Sequence, residues 1–212
     1  MVRILNFNEI DCRFLEFSEP YNGRYGGQSL SIKYMGEKIS IQTPKCGLPY
    51  GINSFDAGNS TKYSADLVLD KDSEKIRDFL KFLKEFDKAI KSKAQEMSIK
   101  WFGRELDPEV IGSIHKNSLR KNGSVMRCKI VTDTKSNPLC TIFDEKKNIM
   151  NISNIVKSDC QCVLELTGIY FIAKEFGCTW KVMQMMVFPT KTLNGYAFID
   201  SDEEEEEAEP VE

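Results

Sequence analysis

Residues Gln28–Gln42, QSLSIKYMGEKISIQ, decide the fold because apolar and polar side chains alternate on both sides of a short turn. Alternation with a period of two is the pattern of a half-buried β-strand. The alternating apolar residues are Leu30, Ile32 and Tyr34 before the turn, and Ile39 and Ile41 after it. The Met35-Gly36-Glu37 step between the two runs is typical of a hairpin turn. The sequence therefore predicts a β-hairpin over residues 28–42.

One long amphipathic helix is predicted over about residues 73–97. Its apolar residues recur at three- and four-residue steps, at Ile76, Phe79, Leu80, Leu83, Phe86 and Ile90. This spacing places them in a single stripe along a helix. Asp72 or Ser73 is expected to be the N-cap. A second, short helix is predicted to begin at Asp107-Pro108, because a capping residue followed by proline favours a helix start.

Strand patterns lie on both sides of the long helix. A short strand is predicted at residues 66–69, and several more between Ser124 and Phe188, with turns at Asn137-Pro138, Asn148 and Gly177. Strands around a single helix, without repeated βαβ units, predict an antiparallel barrel or sandwich. No run approaches the ~20 apolar residues of a membrane span, and the N-terminus lacks the order of a signal peptide. We therefore expect a mainly β protein that is neither secreted nor inserted in a membrane.

The charge of the chain divides sharply at residue 200. The net charge is -3, yet nine of the 32 acidic residues lie in 200–212, which contains no Lys or Arg. The other 23 acids face 29 basic residues, so residues 1–199 carry +6 and residues 200–212 carry -9. Repelling charges with little apolar surface predict disorder. We predict one domain over 1–199 and a disordered acidic tail over 200–212.

The acidic tail is predicted to contact a partner, and a tail that only increases solubility is the alternative. The residues expected to make such contacts are Asp202, Glu203, Glu204, Glu205, Glu206 and Glu207.

Motifs for catalysis and metal binding are absent from the sequence. It has no phosphate-binding glycine loop and no G-x-S-x-G nucleophile motif. The single histidine, His115, lies in a polar stretch and is predicted to be an ordinary surface residue. The seven cysteines include no C-x-x-C pair, so they are expected to pack as small apolar side chains. The sequence predicts no enzyme, no metal site and no cofactor.

Basic and aromatic residues occur together in several stretches, which is the mixture that binds single-stranded nucleic acid. Basic side chains contact the phosphates, and each ring that stacks on a base contributes about 1–3 kcal/mol. The predicted binding residues are Lys33, Tyr34, Lys38, Lys45, Tyr50, Lys100, Trp101, Arg127, Lys129, Tyr170, Trp180 and Lys181. Packing in the core is the alternative for each ring, because aromatic residues commonly fill barrels.

Two stretches resemble the single-stranded DNA-binding proteins of nucleocytoplasmic large DNA viruses, which are in turn similar to the OB-fold single-stranded DNA-binding proteins of podophages. They are residues 21–52, YNGRYGGQSLSIKYMGEKISIQTPKCGLPYGI, and residues 168–188, GIYFIAKEFGCTWKVMQMMVF. The most specific steps are Ile41-Gln42-Thr43-Pro44, Leu48-Pro49-Tyr50-Gly51 and Phe176-Gly177-x-x-Trp180. The resemblance implies an OB-fold-like antiparallel barrel with an inserted helix.

The resemblance also implies an acidic tail that occupies the DNA groove or recruits replication enzymes. The phage tails end in an aromatic residue, whereas this chain ends Glu209-Pro210-Val211-Glu212. Its last rings, Tyr196 and Phe198, precede the acidic run. Anchoring of the tail by a terminal ring is therefore not implied.

From this resemblance we expect a single-stranded DNA-binding protein of viral DNA replication and recombination, whose tail competes with DNA or recruits viral replication proteins. It would act in the host cytoplasm, in a viral factory, or in the nucleus. A structural virion or assembly protein of β-sandwich type, without nucleic-acid binding, is the alternative, and an acidic-tailed chaperone of basic proteins is a third. The sequence leaves open the choice between DNA and RNA and the oligomeric state, a homodimer included.

Overall fold

The computed structural model describes residues 3–22, 27–56, 58, 60–120, 123–155 and 157–189. The acidic segment 200–212, with its predicted disorder and partner contacts, lies outside these residues, as does the boundary predicted at residue 199.

The described residues form fifteen strands and three α-helices. The strands before the long helix are β1 (Leu15–Phe17), β2 (Tyr21–Asn22), β3 (Gln28–Leu30), β4 (Ile32–Tyr34), β5 (Glu37–Lys38), β6 (Ser40–Gln42), β7 (Cys46–Leu48), β8 (Ile52–Asp56) and β9 (Thr61–Val68). The helices are α1 (Glu74–Glu96), α2 (Ser98–Phe102) and α3 (Pro108–Ile114). The later strands are β10 (His115–Lys116), β11 (Leu119–Arg120), β12 (Val125–Ile130), β13 (Thr141–Phe143), β14 (Ser158–Ile172) and β15 (Glu175–Pro189).

Five strands close into a barrel in the order β7, β9, β12, β15, β14 and back to β7. Numbered by their order in the chain, these strands form the ring 1-2-3-5-4-1. The contacts are antiparallel except between β12 and β15, which are parallel and meet where Lys129 pairs with Lys181. The predicted fold class, a mainly β OB-fold-like barrel with one long helix, is confirmed.

The long helix lies in an excursion between two neighbouring barrel strands. β9 ends at Val68, β12 begins at Val125, and these two residues are paired. The chain between them forms the three helices and strands β10 and β11. Phe86 of α1 packs on Trp180 of β15 with ring centroids 5.6 Å apart, so the excursion folds back onto the barrel.

Both predicted helices are confirmed. The hydroxyl of Ser73 caps α1 by accepting a hydrogen bond from the N–H of Ile76 at 3.2 Å. The stripe that α1 buries is Ile76, Phe79, Phe82, Leu83, Phe86 and Ile90. α3 begins at Pro108 directly after Asp107, as the cap-proline step predicts.

The hairpin predicted over residues 28–42 is confirmed at its centre. Met35 and Gly36 form a two-residue turn in which both φ angles are positive, the geometry that matches the twist of a tight hairpin. The outer runs differ from the prediction, because β3 and β6 pair with β14 instead of with each other.

The turn predicted at Gly177 is wrong. The chain turns at Ala173-Lys174, and Gly177 lies within β15. A Cβ at Gly177 would approach the carbonyl oxygen of Lys116 to 2.9 Å. The glycine is therefore explained by a close strand contact and not by a turn.

Four cysteines fill part of the core, as the sequence predicts. They are Cys46, Cys128, Cys160 and Cys162, all buried. Cys46 and Cys160 are partners across β7 and β14, with sulfur atoms 3.8 Å apart. Burial raises the pKa of the Cys128 thiol, so this side chain is a neutral, small apolar group at ordinary pH.

Candidate nucleic-acid interface

Two pairs of lysines face each other across neighbouring strands. Lys33 on β4 is opposite Lys38 on β5, and Lys129 on β12 is opposite Lys181 on β15. Residues that are opposite in this way share one face of the sheet. Like charges so placed destabilise a sheet. The folded protein therefore holds four cations in an arrangement that a bound anion would stabilise.

A single carboxylate joins the two pairs. Glu165 of β14 lies between them, with its Oε1 2.9 Å from the Nζ of Lys181 and 3.8 Å from the Nζ of Lys38. The Glu165 side chain is only 9% exposed. We call Lys33, Lys38, Lys181 and Lys129 the lysine row. The row runs from the β4–β5 hairpin to the barrel strands β12 and β15, with Glu165 at its centre.

A second acid marks the outer end of the lysine row. Glu16 on β1 is opposite Lys33, and its Oε1 accepts a hydrogen bond from the N–H of Gly36 at 2.9 Å. This carboxylate therefore also braces the turn of the hairpin that carries Lys33 and Lys38. With Glu16 and Glu165 counted, the row keeps a positive excess.

Arg127, which was predicted to contact nucleic acid, is held by a carboxylate. Its Nε and Nη2 donate to the two oxygens of Asp66 at 2.7 and 2.8 Å. These hydrogen bonds raise the pKa of the guanidinium. Arg127 lies two residues before Lys129 on β12, so it extends the polar face beside the row while its charge is partly balanced.

Trp101 and Trp180 are core residues, which corrects the prediction that they stack on bases. Trp101 is 4% exposed and Trp180 is 2% exposed. The ring of Trp101 packs between Phe17 and Phe171, with centroids 5.9 and 5.8 Å away. Trp180 fills the barrel beneath Phe86 of α1. A large ring buries more apolar area inside a barrel than on its surface, and this gain explains why both tryptophans lie in the core.

Tyr34 and Tyr170, which were also predicted to bind nucleic acid, are both held partly by contacts within the protein. The hydroxyl of Tyr34 donates to the carbonyl oxygen of Glu9 at 3.2 Å, which ties the hairpin to the N-terminal segment. Tyr170 is half-buried, and desolvation raises its pKa. Neither ring is presented to solvent in the way that a stacking platform requires.

Phe55 is an exposed ring that the sequence reasoning missed. It lies on β8, is 70% exposed, and is opposite Lys62 of β9. Two residues further along β9, Ser64 is opposite Lys129, so Phe55 lies on the same outer face as Lys129. The sequence carried no clear signal for this, because Asn53 and Ser54 make both faces of β8 polar.

The remaining predicted residues lie away from the lysine row. Lys45 and Lys71 both pair with Asp159, at 3.7 and 2.5 Å, and the Nζ of Lys45 lies 4.2 Å from the ring centre of Phe188. Asp159 is six residues before Glu165 on β14, which is about 20 Å along a strand.

Tyr50 and Lys100 complete the predicted set. Tyr50 is exposed in the segment that follows β7. Lys100 pairs with Glu19 at 2.5 Å, on α2. The structure thus brings together four of the predicted lysines, with Arg127 beside them, and separates the rest.

His115 is buried, which corrects the prediction of a surface histidine. Its ring packs against Phe176 with centroids 5.0 Å apart, and its Nδ1 lies 3.1 Å from the Oδ1 of Asn117. Burial lowers the pKa of the imidazole, while the nearby carboxylate of Asp87 acts in the opposite direction. The residue thus packs in the core instead of facing solvent.

Within the described part of the chain, no three His, Cys, Asp or Glu side chains are grouped so that they could hold a metal ion. Within the same part, no helix has both the length and the apolar character needed to cross a membrane.

Comparison with known proteins gives a family and one curated protein of similar sequence. The family of unknown function DUF5871 matches residues 60–200. Uncharacterized protein L291 of Acanthamoeba polyphaga mimivirus is 26% identical in an alignment of 166 residues that covers 72% of this chain and 26% of that protein. The chain thus spans about a quarter of the length of this curated relative.

Solved structures with a similar backbone fold include two phage proteins. One is gp2.5, a single-stranded DNA-binding protein encoded by bacteriophage T7, with a TM-score of 0.49, 16% identity, and coverage of 82% of this chain and 100% of that chain. The other is a single-stranded DNA-binding protein from bacteriophage Enc34, with a TM-score of 0.45, 12% identity, and coverage of 87% and 96%. Its complex with single-stranded DNA gives a TM-score of 0.44, 13% identity, and coverage of 83% and 97%.

Proposed function

The chain belongs to DUF5871, a family of unknown function, and we propose that it binds single-stranded DNA along the lysine row. The proposal is carried by one observation, the two like-charged cross-strand pairs, one on the β4–β5 hairpin and one on the barrel, that meet at Glu165. A sheet gains no stability from such pairs, and a bound polyanion would relieve the repulsion that Glu165 only partly balances. A phosphate backbone is a ligand of the right charge and of linear shape.

The exposed ring of Phe55 supports single-stranded over double-stranded DNA. A ring stacks on a base face, and that face is available only when the base is unpaired. Phe55 lies on the same outer face as Lys62 and Lys129, so a strand whose phosphates follow the lysines would bring a base within reach of the ring.

The buried position of His115 supports binding without catalytic chemistry. A general base must come within hydrogen-bond reach of a substrate proton. His115 is instead buried and lies beside Asn117. We propose a protein that holds DNA and leaves its covalent bonds unchanged.

The cellular role that we propose is protection of exposed strands during viral DNA replication and recombination, in a viral factory of the host cytoplasm or in the nucleus. The support is the resemblance described for residues 21–52 and 168–188. The tail at 200–212 is proposed to compete with DNA for the +6 body, or to recruit replication proteins once DNA displaces it.

Fluorescence anisotropy with a labelled oligo(dT) at low salt tests the proposal directly. We expect saturable binding that weakens steeply as salt rises, because phosphate contacts release counterions. A duplex of equal length should bind more weakly. A full-length chain that ignores the oligonucleotide at about 50 mM salt would favour the structural virion protein instead.

A further inference from the structure

Glu165 has an unused hydrogen-bond donor beside it. Ser40 of β6 is directly opposite Glu165 of β14, so the two side chains share one face of the sheet. The hydroxyl of Ser40 is fully buried, and it has no hydrogen-bond partner among the described residues. Buried hydroxyl groups are normally paired, and an unpaired one needs an explanation.

Glu165 itself is committed to the lysine row. Its carboxylate contacts Lys181 closely and Lys38 more loosely. These two cations are the ones on either side of the centre of the row. Any DNA phosphate that binds at the centre must therefore replace Glu165 as the ion-pair partner of Lys38 and Lys181.

We propose that Glu165 is a built-in competitor for the DNA phosphate, and that Ser40 receives its carboxylate when DNA binds. This inference rests on the proposed function. In the free protein the carboxylate occupies the place of a phosphate between Lys38 and Lys181. In the complex a phosphate contacts both lysines, and the carboxylate turns to accept a hydrogen bond from the Ser40 hydroxyl.

The buried position of Glu165 makes the second partner necessary. A carboxylate that loses its lysines and stays buried without a hydrogen bond is strongly destabilised. The hydroxyl of Ser40 is the neighbouring group that can supply that bond without any movement of the backbone, because the two residues are already paired. The return of the Glu165 carboxylate from Ser40 to the lysines would compete with the phosphate, which would lower the affinity for DNA and speed its release.

The test is a double-mutant cycle read by oligo(dT) anisotropy with the full-length protein. Glu165→Gln removes the competing charge and should tighten binding roughly three- to tenfold, from the loss of one repulsion at close range. Ser40→Ala should weaken binding several-fold, because the displaced carboxylate then has no partner. The double variant should bind like Glu165→Gln, since Ser40 matters only when the carboxylate is present.

Asp159→Asn is the matched control. It removes one negative charge from the same strand, and Asp159 is also flanked by two lysines. It lies about 20 Å from Glu165, beyond the Debye length of about 8 Å at 0.15 M salt, so it should change the affinity little. Equal tightening by Asp159→Asn and Glu165→Gln would overturn the inference, since only total charge would then matter.

The remaining outcomes separate the inference from the proposed function. A wild-type protein that does not bind oligo(dT) contradicts the function itself. A wild-type protein that binds, with Glu165→Gln unchanged or weaker, or with additive effects of the two substitutions, contradicts only the exchange of partners. If Glu165→Gln fails to fold, Ser40→Ala alone tests the inference. This substitution should leave folding intact, because the Ser40 hydroxyl has no hydrogen-bond partner among the described residues. Unchanged affinity of Ser40→Ala for oligo(dT) would then refute the role of Ser40.

Discussion

Lys129 lies directly opposite Lys181 at the parallel contact through which the barrel closes. This strand contact closes the barrel, yet it places two like charges opposite each other where β12 meets β15, which is electrostatically unfavourable. Lys181 gains a partner in Glu165 at 2.9 Å, but Lys129 has no ion pair with a described residue. The first prediction concerns this pair.

Replacement of both Lys129 and Lys181 by glutamine should weaken oligo(dT) binding roughly tenfold or more at about 0.1 M salt. The salt slope should fall by about 1.4, at 0.7 for each lost phosphate contact on a single strand. The Lys129 substitution should change folding little, whereas the Lys181 substitution takes the close cation away from the buried carboxylate of Glu165 and should lower the melting temperature. Anisotropy over a salt series and thermal melting measure the two effects.

The control for this double variant is Lys84→Gln with Lys88→Gln on the exposed side of α1. It removes the same charge but leaves the lysine row intact. A loss of affinity as large as that of the row variant would mean that net charge alone drives binding.

Phe55→Ala should weaken binding by about 1–3 kcal/mol, which is roughly 5- to 150-fold in Kd. The ring is 70% exposed, so its loss should change the free energy of unfolding by less than about 0.5 kcal/mol. Ile172→Ala, at an exposed apolar residue at the end of β14, is the control. Retained affinity in Phe55→Ala would place base stacking elsewhere.

The burial of the two tryptophans leads to a spectroscopic prediction. Trp101 and Trp180 are the tryptophans of the chain, and both are buried. Addition of oligo(dT) should therefore leave iodide quenching of their fluorescence unchanged. Trp180→Ala should lower the free energy of unfolding by about 3–5 kcal/mol, the usual cost of removing a buried aromatic ring. Strong quenching by DNA with wild-type stability in Trp180→Ala would show that this ring is accessible after all.

The stability of the fold should depend on pH through His115, the only histidine in the sequence. Burial lowers its pKa from 6.5 in the folded state. The unfolded chain therefore takes up the proton first as the pH falls, which favours unfolding. The stability is fully present above about pH 6.5 and is lost as the pH falls from there toward the folded pKa.

Thermal melting between pH 7.5 and 5 measures this effect, with His115→Asn as the comparison because an amide can keep the contact with Asn117. Burial raises the pKa of Asp87, which titrates in the opposite sense and gains stability as the pH falls. Because the charges of His115 and Asp87 act on each other, the difference between the two pH profiles reports the histidine together with its interaction with Asp87. Equal pH profiles for the two proteins would show that His115 is not desolvated.

Local patterns predicted the elements that local physics determines. The hydroxyl of Ser73, the proline at 108 and the positive φ of Gly36 act within a few residues, so the helix starts and the hairpin turn followed from the sequence. Strand partners did not. β3 and β6 lie in the same short stretch, residues 28–42, yet each pairs with β14, more than 120 residues away, and no local pattern encodes that choice.

The candidate site was predicted in part for the same reason. A lysine at the polar parity of a strand must face solvent, which is why Lys33, Lys38 and Lys129 were found. Rings carry no such constraint, because a tryptophan is stable both in a core and on a surface. Burial of Trp101 and exposure of Phe55 depend on packing between distant strands, and Glu165 acquired its role only when β14 met both lysines.

The pairing of Val68 with Val125 has an evolutionary consequence. Because the excursion leaves and rejoins the barrel at adjacent positions, descendants of this chain could lengthen, shorten or exchange it without altering the strand order. Such changes would be limited by Phe86, since a version without that ring would leave Trp180 without its aromatic partner on α1. Relatives that lack α1 are therefore expected to carry a smaller residue at the position of Trp180 or another apolar segment over it.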